Sequence, residues 1–242
     1  VWAWEDGQVT YRAEQVQGPA ALAWHPLGAG LAAQGADGQP LQLVDFGGEI
    51  RNVDLPGEVR ALSFDPTGAY LARSDARGRV TLLDAATGAA LRDVAGDHAS
   101  FSRDGRVLAV ARNALKPEIA LIDPETGESD QLLQMPFSRV GPLGFRGASP
   151  EVVAVVQGRG VTARWMLALW NVEDGTLIRR FGQLDSPPRA MAVSPDGRFV
   201  AVVEEDTPEV LLWDMSVGRF LWRLDTGGAE VRALAFAPDG LR

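Results

Sequence analysis

The chain has 242 residues, 46% of them hydrophobic and 23% charged, enough to bury the core of one large all-β domain. Its net charge of −9 disfavours non-specific binding to nucleic-acid phosphates, and the absence of cysteine excludes disulfides and thiolate metal sites. No apolar run approaches the length that spans a bilayer, and neither the compartment nor the oligomeric state can be read from the sequence.

The first element is a short strand, Val1-Trp2-Ala3-Trp4, closed by Glu5. A hairpin then begins with Ala21-Leu22-Ala23-Trp24 and turns at His25-Pro26-Leu27-Gly28. The same pattern returns as Ala61-Leu62-Ser63-Phe64 before Asp65-Pro66-Thr67-Gly68, then around Ser102-Arg103-Asp104-Gly105. It returns again as Ala190-Met191-Ala192-Val193 before Ser194-Pro195-Asp196-Gly197, and as Ala233-Leu234-Ala235-Phe236 before Ala237-Pro238-Asp239-Gly240. Pro, Asp and Gly in these slots are tight-turn chemistry. A second apolar run follows, such as Phe199-Val200-Ala201-Val202-Val203. Later in each unit comes a strand ending in Leu43-Val44-Asp45, Leu82-Leu83-Asp84, Leu121-Ile122-Asp123, Leu169-Trp170-Asn171 or Leu212-Trp213-Asp214, and then one more short strand. Asp45, Asp84 and Asp123 are 39 residues apart, and the next two intervals are 48 and 43. Four short strands in about 40 residues is the period of a propeller blade.

The unit from Leu62 to Gly88 resembles a WD40 repeat, as does that from Met191 to Asp214. The resemblance covers essentially the whole chain and implies an all-β fold: a β-propeller of four-stranded antiparallel blades. The repeats are degenerate. The Gly-His pair before the first strand is missing, and only Trp213-Asp214 spells the dipeptide that gives the repeats their name. The hydrogen-bonded Asp-His-Ser-Trp set cannot be assembled in any copy, so apolar packing is expected to carry blade stability. Six copies of the first and third strands are countable, against five complete second strands. We therefore expect six or seven blades in one domain over residues 1–242, cut from a longer parent at one or both ends, with any closing blade shared between the two termini.

Chemistry is sparse. The two histidines, His25 and His98, lack paired-ligand spacing, so no metal site is expected. His25 occupies a turn slot, and His98 opens a first strand as a structural or solvated residue, with the channel mouth as the alternative. Glu204-Glu205-Asp206 reads as a solvated loop in preference to a hard-cation site. No phosphate loop or nucleotide motif is present, and Trp222 matches quinoprotein propellers too weakly to imply that cofactor. No catalytic residue and no cofactor is assigned. Trp4, Trp170, Trp213 and Trp24 read as core. Trp165, flanked by Arg159 and Arg164 in the longest insertion, is a candidate contact anchor, or else caps its blade. The segment from Phe137 to Leu167 is expected to be the least regular blade, with a projecting, mobile loop over 157–164.

Eight residues before the turn glycines stand Ala20, Arg60, Asp97, Arg189 and Arg232. Each precedes a first strand, the strand nearest the axis, so cyclic symmetry would gather Arg60, Arg189 and Arg232 at the channel mouth. Guanidinium groups there suit an acidic peptide or other anion. Local neutralisation by Glu58, Glu230 or the 204–206 loop is the competing reading. The functional expectation is a non-catalytic scaffold presenting its loop face to a protein or peptide. The alternatives are a propeller hydrolase or lyase with carboxylates at the channel mouth, and a sensor or accessory domain of a larger protein.

Overall fold

The structure is a computed structural model. It describes residues 19–228 except 36, 37, 135, 161 and 162, together with residues 231, 234 and 236. Twenty strands form five four-stranded antiparallel sheets, each in simple sequence order. The first blade comprises β1 (Pro19–Trp24), β2 (Gly30–Gly35), β3 (Leu41–Asp45) and β4 (Ile50–Val53). The second comprises β5 (Val59–Phe64), β6 (Tyr70–Asp75), β7 (Arg79–Asp84) and β8 (Ala90–Ala95). The third is β9 (His98–Phe101), β10 (Leu108–Asn113), β11 (Pro117–Ile122) and β12 (Ser129–Gln134). The fourth is β13 (Arg139–Phe145), β14 (Glu151–Gln157), β15 (Trp165–Asn171) and β16 (Leu177–Leu184). The fifth is β17 (Pro188–Val193), β18 (Phe199–Glu204), β19 (Glu209–Asp214) and β20 (Arg219–Asp225). No helix occurs among the described residues.

The turn chemistry acts as the sequence suggests. Asp65 accepts from the Thr67 N–H at 2.9 Å and from the Tyr70 N–H at 2.7 Å, while Gly68 takes a φ of 77° that other residues resist. Middle strands are apolar on both faces where a blade is sandwiched between two others. In β14, Val152, Ala154 and Val156 pack toward the third blade with Ile119 and Leu133, while Val153 and Val155 pack toward the fifth with Val200, Val202 and Trp213. The outermost strands β8 and β20 are largely exposed.

Two expectations require correction. The described residues form five blades, not six or seven. The higher count relied on partial units at 1–18 and 232–242, which lie almost entirely outside the described residues. Leu22 and Trp24 on the first blade are 50% and 49% exposed, and Trp222 and Leu224 on the fifth are 63% and 51% exposed. Trp24 is therefore not a core residue. It pairs across the sheet with Leu31 on the face turned from the second blade, and its ring meets Phe46 edge-on at 5.4 Å. The fourth blade has strands of seven or eight residues, and its ladders carry register shifts between Val140 and Leu143, Met166 and Leu167, and Leu169 and Trp170, more than any other described blade, in keeping with its reading as the least regular.

Candidate functional site

The inner strands β1, β5, β9, β13 and β17 surround a central cavity of about 550 Å³. Its polar lining includes Arg60, Ser63, His98, Ser100, Arg103 and Arg189, and no Asp or Glu is among the described residues that line it. A cavity of this size is in the range that holds small ligands or a few side chains. Arg60 lies in β5 and Arg189 in β17, each next to its strand's first residue, so both reach the mouth on the face of the loops that join successive blades. Arg103, on a hairpin turn, marks the opposite mouth, where its Nη1 donates to the Pro195 carbonyl at 2.8 Å.

Arg60 and Arg189 both have local partners: Arg189 is held by the 204–206 loop, as the competing reading expected, and Arg60 by Asp97, which that reading did not name. Arg60 Nη1 lies 3.8 Å from Asp97 Oδ1, and Arg189 Nη2 donates to the backbone carbonyl of Glu205 at 2.9 Å. Asp97 is itself fixed from the other side. Its Oδ2 accepts from Asn113 Nδ2 at 2.9 Å, and Asn113 exchanges two hydrogen bonds with the backbone of Val140 at 2.7 and 2.8 Å. One carboxylate thus ties the second, third and fourth blades around the mouth. His98 stands beside it. Burial, reinforced by the Arg60 charge and opposed by Asp97, lowers its pKa to about 4, so the ring is neutral near pH 7.

A scan against protein-family models finds no match. Over 81 residues, a third of the chain, the sequence is 33% identical to small ribosomal subunit protein RACK1y of Oryza sativa subsp. japonica, a WD40 protein. The chain is a WD40-like repeat β-propeller. The matched stretch spans only 24% of the rice protein. Among solved structures, Kuenenia stuttgartiensis hydrazine synthase superposes with a TM-score of 0.82, over 99% of this chain and 83% of that one, at 16% identity. That likeness concerns the fold alone.

In this propeller the remaining candidates separate. Arg232 lies outside the described residues. Arg164 is exposed on the loop face of the fourth blade, where its carbonyl accepts the Gly158 N–H at 3.0 Å. Trp165 is not a surface anchor: it begins β15 and is 8% exposed, packed between the fourth and fifth blades. Trp165 joins the strand because the indole is more stable in that apolar seam than in water. Residues 161 and 162 of the loop are not described.

Glu204 also departs from its solvated reading. It is buried, and its Oε1 accepts the Asp185 and Ser186 N–H groups, the latter at 2.8 Å, pinning the turn between β16 and β17. Among the described residues no three His, Cys, Asp or Glu side chains gather as a metal site, and no helix is long and apolar enough to cross a membrane. Sequence reasoning overlooked Asp97 and Arg73. The signals were present: Asp97 reverses the charge sign in the slot of Arg60 and Arg189, and Arg73 occupies a slot filled by Ala33, Val110 and Val202 in sibling strands.

Proposed function

We propose that this propeller is a non-catalytic binding scaffold whose loop face takes an acidic segment of a protein or peptide. One observation carries the reading: in a chain of net charge −9, the described residues that line the central cavity include three arginines and no Asp or Glu. An anionic group at the mouth meets Arg60 and Arg189, whose guanidinium groups make charge-assisted hydrogen bonds to carboxylates. Arg164 adds an outer contact on the loop face. A hydrolase or lyase site would need convergent carboxylates, and none is among the described residues that line the cavity. Residues 1–242 are read as one propeller domain.

The test is fluorescence anisotropy with a labelled hexaglutamate peptide. Arg60→Gln or Arg189→Gln should weaken binding roughly ten-fold, the value of one charge-assisted hydrogen bond, with little change in melting temperature. Unaltered affinity in both variants, or no binding by the parent protein, refutes the reading.

A further inference from the structure

We propose that Asp97 is an internal stand-in for the ligand, a carboxylate that occupies Arg60 until the carboxylate of an acidic segment displaces it. This inference rests on the proposed acidic-peptide reading and assigns a specificity-determining residue to it.

Three observations carry it. The Arg60–Asp97 contact is loose: at 3.8 Å it is an ion pair without a hydrogen bond, and the Arg60 side chain is 46% exposed. A free carboxylate approaching through the mouth can adopt the bidentate geometry that Asp97 does not. Asp97 has somewhere to remain when displaced, because Oδ2 is held by Asn113 Nδ2 at 2.9 Å and its backbone N–H donates to Ala111 at 2.8 Å. The exchange therefore leaves Asp97 hydrogen-bonded and does not strand a charge. Finally, His98 lines the cavity beside both groups and is uncharged near neutral pH. The incoming carboxylate thus meets the Arg60 charge without a second cation that would hold Asp97 in place. The recognised chemistry is a carboxylate, from either an acidic side chain or a peptide C-terminus.

The experiment measures anisotropy of labelled hexaglutamate, with free and with amidated C-terminus, and of hexaglutamine with a free C-terminus. Two variants are compared with the parent chain: Asp97→Asn, whose side-chain oxygen can still accept from Asn113, and Asp97→Ser, which removes the charge with a shorter side chain. Removal of the competing Asp97 charge, whose side chain is 21% exposed, should tighten hexaglutamate binding roughly two- to five-fold. Retention of that gain by the amidated peptide identifies side-chain carboxylates as the source, and a gain by hexaglutamine identifies the terminus. Unchanged or weakened binding in both variants, while Arg60→Gln still loses affinity, overturns the role of Asp97 and leaves the acidic-peptide reading standing. Insensitivity to Arg60→Gln and Arg189→Gln removes both. If Asp97→Asn does not fold, Asp97→Ser decides alone; if neither folds, Asp97 is a structural tie and the inference is overturned.

Discussion

Arg73 Nε in the second blade donates to Gln34 Oε1 in the first at 2.7 Å, and the Arg73 side chain is completely buried. Its Nη2 donates to the Gly57 carbonyl at 2.6 Å. The nearby Asp75, also buried, is bound by Arg79 Nη2 at 3.1 Å and by the N–H groups of Arg77 and Arg79. A polar cross-link therefore fastens two blades at a position where other blades use small apolar residues. Arg73→Met should destabilise the protein by about 2–3 kcal/mol, because two buried acceptors lose their donors. For a domain of this size the melting temperature should fall by roughly 5–10 °C. Gln34→Leu combined with Arg73→Met should cost less than the two single changes added. A melting temperature unmoved by Arg73→Met would show that the cross-link contributes nothing net.

That cross-link also marks the limit of what the sequence disclosed. The repeat was legible because its signals are local: a glycine that must adopt positive φ, as at Gly68, and an apolar run that must be buried on both faces, as in β14. The location of Arg60 and Arg189 at one cavity followed from cyclic symmetry alone. Partners across blades were not legible. Gln34 and Arg73 are 39 residues apart, Asp97 and Arg60 are 37 apart, and neither pair has a spacing rule within one strand or turn. Trp165 failed for a related reason. Flanking arginines suggested a loop, whereas burial against the fifth blade decided the matter.

Stability should show a two-stage dependence on acid. The His98 pKa is about 4 in the fold against an ordinary 6.5, so between those values the unfolded chain binds more protons. The contribution is complete above pH 6.5 and declines as the pH falls toward 4. Asp104, Asp196 and Asp214 are held below the usual carboxylate value, first by the hydroxyls of Ser102, Ser194 and Ser216, so their contributions disappear only at lower pH. Denaturation midpoints measured at steps across this range should fall in both windows. His98→Asn should flatten the upper window and leave the lower one. An equal slope in the variant between pH 6.5 and 4 would assign that loss to other groups.

Gly28 and Gly197 hold the same place in their turns and share a φ of 71°. A Cβ at Gly28 meets nothing within 4 Å, whereas one at Gly197 meets the Arg146 carbonyl carbon at 2.9 Å, across a blade boundary. Both alanine substitutions bear the left-handed backbone cost of about 1 kcal/mol. Only Gly197→Ala must also push backbone from the fourth blade aside, which should add about 1–2 kcal/mol. Chemical denaturation of the two variants measures the difference directly. Equal losses would mean that the fourth and fifth blades separate at this turn at little cost.

Arg164 and Trp165 are adjacent in sequence and opposite in environment. Arg164 is exposed on the loop face, while Trp165 is 8% exposed in the seam that Val155, Leu167 and Leu184 also fill. Trp165→Ala removes a large apolar group from packed surroundings and should cost about 3–5 kcal/mol, with the cavity left behind setting the upper end. Arg164→Ala should change stability by less than about 0.5 kcal/mol. On the acidic-peptide reading, Arg164→Ala should weaken hexaglutamate binding modestly, about two-fold, since an exposed charge contributes little once water screens it. The indole makes its contribution through the fold, so Trp165→Phe, which keeps most of the apolar volume, should restore much of the stability and leave hexaglutamate affinity at the parent level. Loss of affinity in a fully folded Trp165→Phe protein would return that residue to the binding surface and contradict its placement in the core.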